Sequence, residues 1–257
     1  AGPGGSVFVP DRDDGIRRFA PDGNFVEYVA RPGQGPTEVR YVLGMDVGHS
    51  GELAAVDLGN ARVALFDLES GEVTTLSRPN LRPRYVDGSI LFMGDGTLWM
   101  GVYPHAPSRG GLEHPYAAYL QVSPEDGTYP DTIFTPRRAG EECTELSTAE
   151  FRAGYWADSR TPFVPKAMWA LGRDGSFALG CPKSYSLDVH RPDGTVTRIH
   201  RNWSPVVMGD NELEHMKGQA GTGQIPRERP AYARIVLPGD GRAWVWPNQP
   251  GEFVDLP

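Results

Sequence analysis

Cysteine is nearly absent: 257 residues hold two, Cys143 and Cys181. Two thiols allow one disulfide at most and fall short of a zinc ligand set. The alternative is two separate thiols, with Cys181 half buried at a strand end. No run of eighteen apolar residues occurs, so the sequence offers no transmembrane helix. Basic residues are also scarce: 25 Lys and Arg against 33 Asp and Glu give a net charge of −8. They do not cluster, and phosphate binding needs a basic field, which argues against a nucleic-acid partner. The sequence lacks a Gly-x-Ser-x-Gly elbow, a Cys/His zinc spacing and a dinucleotide fingerprint. The chain opens at Ala1 without Met, basic leader or apolar signal core, which reads as a processed or trimmed protein or a fragment.

Turn residues are plentiful instead. Thirty-two Gly and 24 Pro are spread along the whole chain as punctuation between short apolar runs. One phrase recurs: a Gly, a strand-like stretch, an apolar stretch some fifteen residues on, and a second Gly closing a turn. It starts at Gly5, Gly51, Asp95-Gly96, Asp174-Gly175 and Asp240-Gly241. The first three copies follow at about 45 residues, the period of a four-stranded propeller blade. The later spacings are longer because of two insertions, roughly 135–165 and 201–231.

The expected fold is all-β: a single β-propeller domain over 1–257, built of four-stranded antiparallel blades. Blade one has three strands, Ser6–Pro10, Ile16–Phe19 and Phe25–Ala30. Blade two has Val42–Val47, Glu52–Asp57, Arg62–Phe66 and Val73–Leu76. Blade three has Ser89–Met93, Thr97–Tyr103, Ala117–Val122 and Tyr129–Phe134. Blade four has Lys166–Leu171, Phe177–Cys181, Ser186–His190 and Val196–His200. Blade five has Ala233–Leu237, Ala243–Trp246 and Glu252–Asp255. The first blade lacks its first strand and the fifth its last. A closed six-bladed ring needs roughly sixty more residues, so the chain reads as a truncated arc of about five blades. Aromatic residues three places after the Gly, at Phe8, Trp99 and Trp244, are expected to pack between blades; Ala54 and Ala178 take that place in the other copies.

Several stretches resemble the six-bladed propellers of the NHL and TolB-like superfamily, and in particular bacterial "6-bladed beta-propeller" proteins of uncharacterised function. They are Ile16 to Val26, Arg31 to Val39, Asn60 to Asp67, Pro162 to Trp169 and Arg201 to Pro205. The resemblance touches most of the chain and carries fold rather than activity, since that superfamily includes interaction scaffolds, lactonases and lyases. It implies an extracytoplasmic location, periplasmic or secreted. After Trp203 the chain departs from the pattern, with a helix-like Asp210–Lys217 that breaks at Gly218.

Ligands of such folds meet the loops joining second to third strands and one blade to the next. Those loops supply the candidate ligand-binding residues: Arg12, Asp57, Asn60, Arg62, His105, Arg109, Glu113, His114, Lys183 and Tyr185. Loop 104–115 brings two His, an Arg and a Glu together, suited to gripping a ligand or moving a proton, or else a solvated surface loop. Arg12 and Arg62 suit a bidentate anion contact. Their alternative is bracing neighbouring blades through Asp57, Asp67 or a backbone carbonyl. Asp11–Gly15 glances at a calcium loop, but the third acid comes one place early and no Glu closes it, so an Asp-rich turn fits better. Arg31–Glu38 is Gly-rich but has neither Lys-Ser/Thr nor a following helix for a phosphate; it is a crossover between blades. In the 135–165 insertion, Tyr155 and Trp156 either form a lid or partner surface or tuck against the rim.

The leading reading is a non-catalytic binding module or scaffold that holds a protein, peptide or glycan at the channel face. It is expected to be monomeric when complete and calls for no cofactor. The alternative is a lactonase-like hydrolase or lyase using His105, His114, Asp57 and Glu113, with a divalent cation in the channel.

Overall fold

The computed structural model describes residues 2–11, 13–77, 86–102, 117–134, 168–217 and 225–248. They divide between two compact units, 1–135 and 136–257.

The recurring Gly phrase becomes a turn with its own hydrogen bonds. Asp22, Asp95, Asp126, Asp174, Asp193 and Asp240 each accept, on Oδ1, the backbone N–H two residues on. The Gly between them has positive φ, 85° at Gly96 and 79° at Gly175, where a side chain would strain the turn. Hydrogen bonds from Thr97, Thr128 and Thr195 hold the carboxyls of Asp95, Asp126 and Asp193 below the ordinary carboxylate range. The repeat therefore marks where strands reverse, and the alternating residues between reversals form the sheets.

Unit one contains three four-stranded sheets. The first holds β1 (Val7–Asp11), β2 (Gly15–Phe19), β3 (Phe25–Pro32) and β4 (Glu38–Val39) in that order. The second holds β5 (Val42–Val47), β6 (Glu52–Asp57), β7 (Arg62–Asp67) and β8 (Val73–Ser77). The third runs from β9 (Val86–Phe92) through β10 (Leu98–Val102) and β11 (Ala117–Val122) to β12 (Thr132–Phe134). Every pairing is antiparallel except β3 with β4, which join in parallel at Arg31–Glu38 and Pro32–Val39. The short β4 lies within the crossover expected from sequence to be loop; two residues carry no periodic signal. Strand β12 starts at Thr132 rather than Tyr129, since Pro130 has no N–H to give a ladder.

Strand β6 shows why the second sheet is apolar on both faces. Leu53 and Ala55 join a core with Ile16, Ala30 and Phe66, toward the first sheet. Ala54 and Val56 join another with Ile90, Phe92, Leu98 and Met100, toward the third. Alternation of period two sends successive residues into separate cores, and the small Ala side chains admit close sheet packing. Each buried Leu or Val contributes about 1.5–3 kcal/mol. The Phe92 N–H donates to Asp46 Oδ2 at 2.8 Å, tying β9 to β5.

Unit two contains a four-stranded sheet, β13 (Met168–Leu171), β14 (Phe177–Gly180), β15 (Ser186–His190) and β16 (Val196–His200), and the pair β17 (Tyr232–Val236) and β18 (Trp244–Pro247). Helix α1 (Asp210–Lys217) lies in the insertion between β16 and β17, over the residues expected to be helix-like. Ala178, Leu187, Val189, Tyr232 and Ile235 form its core. Phe8 packs on the core of the first two sheets and Trp99 is buried, whereas Trp244 is exposed, on the face of β18 opposite Val245. Strand Glu252–Asp255, expected for blade five, lies outside the described residues. Sheets of this kind, repeated along an all-β chain, are propeller blades in type.

Cys181, half buried after β14, is disulfide-bonded. The one other cysteine of the chain, Cys143, lies outside the described residues. Among the described residues no helix is long and apolar enough to cross a membrane.

Candidate functional site

Three of the ten candidates meet at one point. Strand β6 ends at Asp57 and β7 begins at Arg62, and the loop between them carries Asn60. Asp57 is fully buried. Its Oδ1 accepts the backbone N–H groups of Arg40, Tyr41 and Asn60 at 3.2, 3.3 and 3.2 Å. Its Oδ2 accepts Asn60 Nδ2 at 2.7 Å and Arg62 Nε at 3.2 Å.

The two donors also reach across to the crossover from the first sheet. Arg62 Nη2 donates to the carbonyls of Gly35 (2.8 Å) and Glu38. Asn60 Nδ2 reaches the Gly33 carbonyl at 3.0 Å. Within the crossover, Glu38 Oε2 accepts the Gly35 N–H at 2.8 Å, and Gly33 donates its N–H to the Val39 carbonyl. A Cβ on Gly33 would stand 1.9 Å from Glu38 Oε2, so a side chain there would displace the Glu38 carboxylate that receives the Gly35 N–H. Gly59 is likewise pressed against the chain, since a Cβ would stand 2.7 Å from Arg40 Cβ.

This cluster is a clamp. A buried carboxylate and a nearly buried guanidinium offset each other's desolvation, and backbone groups satisfy what remains. The clamp fixes loop 58–61 against crossover 33–41 at one end of the second sheet. Two exposed residues are held by it through their backbone N–H groups: Arg40, and Tyr41 with 41% of its surface exposed. Reasoning from sequence did not single out these two. The signal for them was the pair Asp57 and Arg62, which organises their backbone.

Lys183 and Tyr185 belong to the other unit. Lys183 is exposed, while Tyr185 is buried in the core of unit two, edge-on to Tyr232 at 5.7 Å with Arg201 over its ring. Arg12, His105, Arg109, Glu113 and His114 lie outside the described residues, as do Tyr155 and Trp156. Asp11 makes an Asp-rich turn, accepting the N–H groups of Asp13 (2.9 Å) and Asp14 (3.3 Å), while Arg17 pairs with Asp11 and Asp14. The turn N–H groups, with Arg17, hold the Asp11 carboxyl below its ordinary range. Among the described residues no three His, Cys, Asp or Glu side chains converge as a metal site. A shallow cleft of about 340 Å³, open solvent included, lies between β15, β16 and the β17–β18 turn, lined by Asp174, Ser176, Arg191, Thr197 and Arg242.

No protein-family model matches the chain, and no curated protein does. Solved structures of β-propeller proteins align over most of it. Virginiamycin B lyase from Staphylococcus aureus aligns at 14% identity and a TM-score of 0.41, over 82% of this chain and 60% of its own. A streptogramin B lyase structure aligns at 14% and 0.43, over 95% and 74%. An exported protein from Bacteroides fragilis aligns at 9% and 0.39, over 90% and 73%. This chain thus spans 60% of the length of the Staphylococcus lyase chain. Likeness at this level carries no activity across.

Proposed function

We propose that this chain is a binding module that holds a protein, peptide or glycan at the loop end of its blades. The observation that carries the reading is the clamp around Asp57. Its buried ion pair fixes the backbone beneath Arg40 and Tyr41. A surface held in its bound shape loses little entropy on association. Tyr and Arg are the residue types that dominate binding energy at such surfaces.

The finer reading of the fold, a six-bladed ring of the NHL and TolB-like kind, draws support from the period of about 45 residues between the first three copies of the Gly phrase. The disulfide at Cys181 supports an extracytoplasmic location, because such bonds persist in oxidising compartments.

Peptide and glycan arrays test the function. The protein is expected to retain a discrete set of ligands that the variant Arg40→Ala/Tyr41→Ala releases. Equal retention by both proteins, or none above background, would overturn the reading.

A further inference from the structure

The outer strand of the first sheet differs from those of the others. Strand β3 has eight residues, against five in β8 and β16 and three in β12. Its inner edge pairs with β2 from Phe25 to Ala30, but its outer edge pairs only at Arg31 and Pro32, with β4. Among the described residues no strand pairs with the outer edge over Phe25–Ala30, so backbone donors and acceptors are presented there.

The side chains on this edge are apolar. Phe25, Val26 and Tyr28 are 50%, 49% and 38% exposed. Strands β8 and β16 carry Thr, Ser, Arg and His instead, as Val-Thr-Thr-Leu-Ser and Val-Thr-Arg-Ile-His. Open edges are ordinarily guarded by Lys, Pro or an inward charge. Between Phe25 and Ala30 the one charge is Glu27, and Arg18 pairs with it at 3.1 Å.

One face of the strand adds a directional cue. Phe19, Phe25 and Tyr28 form a run of edge-to-face rings at 5.9 and 5.2 Å. Arg31 ends the run, its guanidinium 4.6 Å from the centre of the Tyr28 ring. Arg31 has no carboxylate partner among the described residues.

We propose that the outer edge of β3 is a strand-addition site for an extended peptide of a partner protein. The peptide carries apolar residues at alternate positions and a carboxylate beside Arg31. Main-chain hydrogen bonds give such pairing its affinity, and alternate side chains give it selectivity. A second copy of the chain fits less well. Antiparallel pairing of two copies centred on the free stretch Phe25–Ala30 sets Arg31 against Asn24, which has no charge to offer it. The free stretch Phe25–Ala30 is not among the residues that the clamp around Asp57 holds, and the proposal stands without that reading.

Fluorescence anisotropy with a labelled Val-Thr-Val-Thr-Val-Glu peptide tests the proposal. The intact protein is expected to bind it, and methylation of alternate backbone nitrogens on the peptide is expected to weaken binding at least tenfold. Phe25→Lys is expected to abolish binding, while Val196→Lys, at an equally exposed outer-strand position (54%), leaves it unchanged. Arg31→Glu is expected to switch preference to the peptide ending in Lys, which shows that the variant is folded and the charge is read. Three results would overturn the proposal: no binding, binding indifferent to backbone methylation, or self-association of the chain that Phe25→Lys removes.

Discussion

Asp57→Ala removes one acceptor from five donors at once. Two of those donors are side chains, Asn60 and Arg62, and three are the backbone N–H groups of Arg40, Tyr41 and Asn60. Hydrogen bonds to a charged group are worth about 1.5–3 kcal/mol each, but their sum overshoots because burying Asp57 already costs free energy. Breaking a buried pair at one partner gives about 3–5 kcal/mol, and that range is expected here. Asp57→Asn keeps Oδ1 for the three N–H groups. It sets an amide N–H₂ against Asn60 Nδ2 and Arg62 Nε, so about 2–3 kcal/mol is expected. Urea unfolding followed by circular dichroism gives both values as shifts in midpoint at unchanged slope. Hydrogen exchange supplies the local reading: the Arg40, Tyr41 and Asn60 amides lose protection in Asp57→Ala before the rest of unit one does. A loss below 1 kcal/mol for Asp57→Ala, or equal losses for Ala and Asn, would refute the clamp as described.

Three further outcomes follow from unit two. Gly180→Ala places a Cβ 2.2 Å from Tyr232 Oη and 2.8 Å from the Ser186 carbonyl, so about 1–3 kcal/mol of stability is lost to overpacking. Tyr232→Phe in the same chain should return part of it in the same urea assay. Burial, with Tyr185 adding, pushes the Tyr232 phenol well above its ordinary value of about 10. Its contribution is therefore intact below pH 10 and lost as pH rises above it. A urea midpoint series at alkaline pH should show a fall that Tyr232→Phe flattens. Reduction should cost about 2–4 kcal/mol of stability, read as a lower urea midpoint, and thiol titration before reduction should find Cys181 blocked.

Much of the fold was legible because its signals are local. Ala117–Val122, Ser186–His190 and Val196–His200 have the bounds that their alternation and flanking turns announce. Boundaries drifted where pattern gave out. Strand β3 continues two residues past Ala30, because Arg31 and Pro32 find parallel partners in β4, a long-range fact. The site was half legible. Asp57, Asn60 and Arg62 stand out as polar residues in a loop of an apolar strand pair. What Arg62 and Asn60 hold, the carbonyls of Gly33, Gly35 and Glu38, has no sequence signature because every residue carries one. For the same reason Arg40 and Tyr41 went unmarked. Tyr185 looked like a loop residue by position, yet its ring completes the core beside Tyr232.

The central claim is that a clamped backbone presents Arg40 and Tyr41 to a partner. Titration calorimetry on the strongest array ligand measures it most directly, using the native chain, Tyr41→Ala and Asp57→Asn. The account predicts at least a tenfold loss for Tyr41→Ala, about 1.4 kcal/mol, with an unchanged urea midpoint. It also predicts a smaller loss for Asp57→Asn, carried by entropy. Unchanged affinity in both variants would contradict it.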